Sequence, residues 1–286
     1  MGSQLRALTE VIEPLIVMEG AGVRLKRSIA TARLDYLDPF LLFDHFGSDD
    51  PADYLPGFPM HPHRGIETVT YMLAGEVDHR DTLGNAGTVG PGDVQWMTSG
   101  HGIMHEEMPR PRDGMMGGFQ LWVNLPARLK MTVPRYQDVP AATIPEVVRD
   151  GGERLRVVAG EVDGVRGPVK EIYADPSYFD VTVPAGGSLR QPITRGHAAF
   201  AYVFEGEGLF ETGPGGPGRA VGSPRLAVLG DGDELVVRAG EQPVRFLLVS
   251  GKPLGEPIAR YGPFVMNTRE EIEQALRDLR DGSFVY

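Results

Sequence analysis

Cysteine is missing altogether from the 286 residues. Disulfides and thiolate ligation are therefore excluded, so any metal must be held by imidazole and carboxylate groups. Long hydrophobic runs are missing too: no stretch approaches the roughly 18 uninterrupted apolar residues of a membrane helix. The opening MGSQLRALTE is polar and charged where a secretory signal needs an apolar run. A cytoplasmic protein with no membrane partner is expected. Positive charge is in deficit, with 28 Lys and Arg against 39 Asp and Glu and a net charge of −11. Such a field repels phosphate backbones, so direct nucleic-acid binding is not expected.

Hydrophobic residues at 41% and charged residues at 23% are the balance of a packed globular protein. The length suits two domains of about 140 residues each. Glycine (38) and proline (24) recur between short apolar runs, which is how turns punctuate antiparallel strands. An all-β fold follows.

The segments 69–100 and 200–240 share this punctuation. Tyr71 aligns with Tyr202 and Gly75 with Gly206 at an offset of 131, whereas Gly92-Asp93 aligns with Gly232-Asp233 and Gly100 with Gly240 at 140. The glycine- and proline-rich turn Gly213–Gly218 absorbs the jump, and the pattern reads as one internal duplication. The join falls in 139–152, giving domains 1–140 and 141–286. Thr268 with Glu271 fits a capping box. Ile272, Ala275, Leu276 and Leu279 recur at helical spacing, so a short amphipathic helix ends the second domain.

Six of the seven histidines, at 45, 61, 63, 79, 101 and 105, lie in the first domain. His61-Pro62-His63 is an HxH pair, and on a strand positions i and i+2 project from one face. His105-Glu106-Glu107 supplies an HxE pair by the same geometry, with Glu106 pointing the other way. Three neutral imidazoles and a carboxylate suit Fe(II), Mn, Ni, Cu or Zn and do not suit Ca or Mg. Carried across the duplication, the four positions fall on Pro192, Thr194, Arg245 and Leu247, so the second domain is expected to be metal-free.

Other candidates read more plainly. His79 is expected at a solvent-facing turn, His101 to shape the loop before the HxE strand, and His45 and His197 to be structural. Met72, Trp96, Met97, Met104, Met108 and Phe119 read as barrel core. Arg24, Lys26, Arg27 and Arg33 could dock an acidic partner, although alternating cations also protect edge strands.

The runs FPMHPHRGIETV (58–69), PGDVQWMTSGHGIMHEEMP (91–109), QLWVNL (120–125), YGPFVMNT (261–268) and LDPFLLFDHF (37–46) closely resemble pirins. Pirins are cupins, and the resemblance implies a bicupin: two antiparallel jelly-roll barrels with a single iron site in the first. It maps the metal ligands onto His61, His63, His105 and Glu107 and leaves Glu67 as a supporting residue. It also implies a dioxygenase acting on a flavonol such as quercetin with O2, and Glu107, as the carboxylate of the ligand set, is placed to act as its catalytic base. The rival expectation is a non-catalytic, iron-dependent regulator that binds a protein partner.

Overall fold

The computed structural model describes residues 3–110, 114–213 and 216–285. Pro214 and Gly215, within the expected turn insertion, lie outside the described residues. Strands dominate the described residues, which include one α-helix, Arg269–Asp281. The all-β, two-barrel expectation is met. No helix among the described residues is long and apolar enough to cross a membrane.

The first barrel has two antiparallel sheets. Its seven-stranded sheet runs in the order Arg135–Val139, Val94–Thr98, Ile66–Ala74, Met116–Asn124, Phe40–Ser48, Val23–Ile29 and Leu15–Glu19. The four-stranded sheet runs Phe58–His63, Ile103–Arg110, Glu76–Asp81 and Ala86–Val89. Alternation decides which side chains enter. In Glu76–Asp81 every second residue, Val77, His79 and Asp81, is buried. Met72, Trp96, Met97 and Phe119 are buried as expected, whereas Met104 and Met108 are only half-buried.

The second barrel repeats the plan. Its larger sheet is ordered Leu8–Ile12, Arg225–Leu229, Ala198–Glu205, Val244–Gly251, Ser177–Val183, Arg154–Ala159 and Glu146–Val148. Its smaller one is Ser188–Pro192, Glu234–Ala239, Glu207–Phe210 and Arg219–Gly222. Leu155, Val181, Ala201, Phe246 and their neighbours fill its core.

This strand order corrects the alignment within the duplication. Val94–Thr98 corresponds to Arg225–Leu229, and Ile103–Arg110 to Glu234–Ala239, so the offset stays at 131. The longer connecting segment 211–218 is offset by a short link at Ser223-Pro224, where the first barrel has residues 90–93. His105 and Glu107 therefore fall on Val236 and Arg238. Arg245 and Leu247 belong instead to the Val244–Gly251 strand, the counterpart of Met116–Asn124.

The single cut at residue 140 differs from the structure at both ends of the chain. Leu8–Ile12 pairs with Arg225–Leu229, and residues 1–14 and 32–38 group with 142–253. Residues 254–286, helix included, group with the first barrel. The helix goes there because its apolar stripe, Ile272 and Ala275 with Leu276 and Leu279, packs on Phe264, Met266, Phe284 and Met104. Its start is the expected capping box: the Glu271 N–H donates to Thr268 Oγ1 at 3.2 Å, and the Thr268 N–H donates to Glu271 Oε2 at 2.9 Å.

Candidate metal centre

His61 and His63 stand on the Phe58–His63 strand, which pairs with the strand carrying His105 and Glu107; His105 is directly opposite His61. The register slips between His105 and Glu107, a bulge that falls at Pro59 and Met60, where proline has no N–H to give the ladder. The Pro59 carbonyl accepts from His61 Nδ1 at 3.0 Å. That bond fixes the tautomer and leaves the Nε2 lone pair facing inward, as the outer partner of a metal-binding histidine does.

The three imidazoles converge, with ligand nitrogens all within 4.8 Å of one another. His61 Nε2 and His63 Nε2 are 3.0 Å apart. This is about the spacing of adjacent corners around an ion with bonds of roughly 2.1 Å. His105 is buried, and neither of its ring nitrogens has a hydrogen-bond partner among the described residues. A wholly buried imidazole with both nitrogens unpaired is costly unless something is bound there. The donors present therefore fit a transition-metal ion.

Burial holds His63 and His105 well below the usual imidazole range, and the neighbouring histidines push them the same way. His61 is lowered by burial, with the Pro59 carbonyl acting against it. All three are neutral donors, the form a metal needs.

Glu107 lines the cavity beside His61 and His63 without joining the three-histidine cluster. Its Oε1 accepts from the Thr70 hydroxyl at 3.3 Å, and Gln120 Nε2 donates to Thr70 Oγ1 at 3.0 Å. Enclosure in the barrel pushes the carboxyl up to about 7, with Thr70 acting the other way. Glu106 points away, as expected, into an ion pair with Arg80. The cavity measures about 330 Å³ and opens between the two sheets of the first barrel. Trp122 stands edge-on to His63 with ring centroids 5.1 Å apart, and the Arg260 guanidinium lies 5.2 Å from the Trp122 ring.

Family models for pirin and for the pirin C-terminal cupin domain match residues 22–123 and 178–285. The chain belongs to the pirin family. A pirin-like protein of Caulobacter vibrioides is 44% identical over 98% of this chain and 99% of its own. Human pirin is 42% identical over 92% of this chain and 88% of its own. Among solved structures, a quercetin 2,3-dioxygenase from Acinetobacter baumannii superposes with a TM-score of 0.88 at 34% identity, covering 98% of both chains. A bacterial pirin from Escherichia coli in complex with nickel(II) shares the fold with a TM-score of 0.66 at 19% identity, covering 85% of this chain and 99% of its own.

The other residues singled out in this pirin sequence sort as follows. His79 is a correction: it is buried, opposite Glu107 in the ladder, with its ring 5.3 Å from that of Tyr136. The alternation of its strand turns it inward. His101 does shape its loop, its N–H donating to Thr132 O at 2.8 Å. His45 packs on Phe119 at 4.9 Å. Glu67 is fully buried and accepts from Thr98 Oγ1 at 2.8 Å. Arg24, Arg27 and Arg33 pair within the chain, with Asp53, with Asp44 and Glu19, and with Glu10. The site residues that sequence reasoning missed are Thr70, Gln120, Trp122 and Arg260. Gln120 and Trp122 had a signal, since they sit at i and i+2 in QLWVNL and so share a face.

Proposed function

We propose that this protein is a metal-dependent dioxygenase that opens a flavonol such as quercetin with O2, its ion held by His61, His63, His105 and Glu107. The observation that carries the reading is the meeting of three imidazole nitrogens within 4.8 Å beside a cavity of about 330 Å³. That volume is at the small end of the range for small-molecule sites. The quercetin 2,3-dioxygenase from Acinetobacter baumannii, alike along nearly the whole chain, supports the substrate class. A nitrogen and oxygen donor set without sulfur favours Fe(II) and admits Mn, Ni, Cu or Zn.

When bound, the ion would supply Lewis acidity toward an enolizable hydroxyl and a redox partner for dioxygen. The chain does the rest. Glu107, whose carboxyl lines the cavity beside His61 and His63, takes the hydroxyl proton. Thr70 holds Oε1 of that carboxylate, leaving Oε2 as the oxygen free to receive a proton. Trp122, in the cavity wall, offers a flat surface to a planar ring.

Oxygen consumption and elemental analysis on one iron-loaded sample test the reading. Turnover of a flavonol at about one ion per chain is expected, and a clean negative across a range of flavonols would overturn it. A regulator that docks a protein partner needs a surface to do so. Three of the four cations suited to that role, Arg24, Arg27 and Arg33, are paired within the chain with Asp53, Asp44 and Glu10, which favours the enzyme.

A further inference from the structure

A row of polar side chains crosses the inner face of the seven-stranded sheet. Arg27 is paired in register with Asp44, Asp44 with Gln120, and Gln120 with Thr70. Directly opposed residues on antiparallel strands share a face, and all four line the cavity. The next inward row is apolar where it meets the cavity, with Leu42 paired to Trp122. A polar row in such a wall needs a reason.

The direction of its hydrogen bonds can be worked out from one end. When it holds the ion Glu107 is a carboxylate and only accepts, so the single hydroxyl proton of Thr70 goes to Oε1. The Thr70 oxygen is then an acceptor, and Gln120 must turn its NH2 toward it, as observed at 3.0 Å. This settles the amide orientation that geometry alone leaves ambiguous. Gln120 Oε1 is left over, with no hydrogen bond among the described residues. The Asp44 carboxylate, one strand further on, is taken up by Arg27 through both oxygens at 2.9 and 2.7 Å. Gln120 thus offers an unclaimed acceptor on this wall, about one strand spacing (~5 Å) from the strand of Thr70.

We infer that Gln120 determines specificity: its Oε1 accepts a hydrogen bond from a second hydroxyl of the substrate, one that does not face the histidines and Glu107. The ligand is then a planar aromatic with at least two separated hydroxyls. This rests on the flavonol reading above. A site built to accept from a hydroxyl rejects an analogue that lacks it, because the buried acceptor is left unpaired.

Anaerobic titration of the metal-loaded protein, followed by tryptophan fluorescence, tests the assignment without turnover. Quercetin, its methyl ethers and 3-hydroxyflavone are the ligands. Wild type should bind quercetin about ten-fold more tightly than 3-hydroxyflavone and than at least one methyl ether. Gln120→Met should bring quercetin and 3-hydroxyflavone within a few-fold at unchanged metal content, and Gln120→Asn, which keeps both the amide donor and the acceptor, should retain part of the preference. A wild type indifferent to the added hydroxyls overturns the role of Gln120 whether or not either variant folds. So does a Gln120→Met protein that keeps the full preference, or one that loses all three ligands equally. Should wild type bind none of them, the flavonol reading fails first and takes this inference with it.

Discussion

Arg64 and Asp278 form an ion pair of 2.6 Å that ties the strand of His61 and His63 to the C-terminal helix. The guanidinium is 1% exposed and lies 4.4 Å from the Phe284 ring. Its backbone is stitched to the same segment, the Arg64 N–H donating to Pro263 O and the Val265 N–H to Arg64 O. Lys130 Nζ donates to Gly65 O, Val265 O and Asn124 Oδ1. Gly65 is required here: at φ +80 a Cβ would lie 2.1 Å from the Val265 carbonyl oxygen.

Asp278→Ala strands the Arg64 charge in the interior, and removing one partner of a buried pair costs about 3 kcal/mol. Calorimetry should show Tm lower by about 5–10 °C. A melt within a degree of the parent would show that Arg64 finds other acceptors.

Metal binding is expected at about one ion per chain, because the second barrel has Val236 and Arg238 where the first has His105 and Glu107. His61→Ala and His105→Ala should each strip the ion while leaving the fold intact, since the ligands are not what fills the core. Elemental analysis beside circular dichroism decides it, and full metal retention in either variant would remove that histidine from the ligand set.

Glu107 separates two roles. If it only holds the ion, Glu107→Gln saturated with Fe(II) should turn over at nearly the parent rate. As the base it should lose about 10²–10⁴-fold at matched metal content, because an amide cannot take the proton. The second outcome is expected, and steady-state rates on metal-matched samples read it directly.

Glu67 makes stability depend on pH in a direction opposite to most carboxylates. Burial pushes it up to about 7 in the folded chain, against 4.5 for an ordinary Glu, while the Thr98 hydroxyl acts the other way. The folded form therefore binds the extra proton between those values. Its contribution is fully present below pH 4.5 and is lost as the pH rises toward 7. Glu67→Gln should flatten this part of the profile by up to about 3 kcal/mol. Urea unfolding at pH 5 and pH 8 measures it, and an unchanged difference between the two proteins would count against it.

The strands and the three converging histidines were legible because both follow from period-2 alternation: HPH and HEE each place two donors on one face. The inward turn of His79 obeys the same rule, yet a charged EVDHRD segment hides it, since its inward polar residues look like surface. The duplication was legible as a pattern, but its second offset was not. Glycine-aspartate turns recur at many strand ends, and only the sheet order tells which recurrence is equivalent. The helix was legible from Thr268 and Glu271, whereas its host barrel was not, because an apolar stripe does not name its partner.

The exchange of ends between the barrels matters on the ribosome. Arg64 is synthesised 214 residues before Asp278, and Lys130 135 residues before Val265, so each cation lacks that partner while the intervening chain is made. The nascent barrel meanwhile carries its histidines on a strand whose neighbouring turn has no counter-charge. A chain stalled near residue 253 has His61, His63 and His105 and none of the segment 254–286 that braces the strand of the first two.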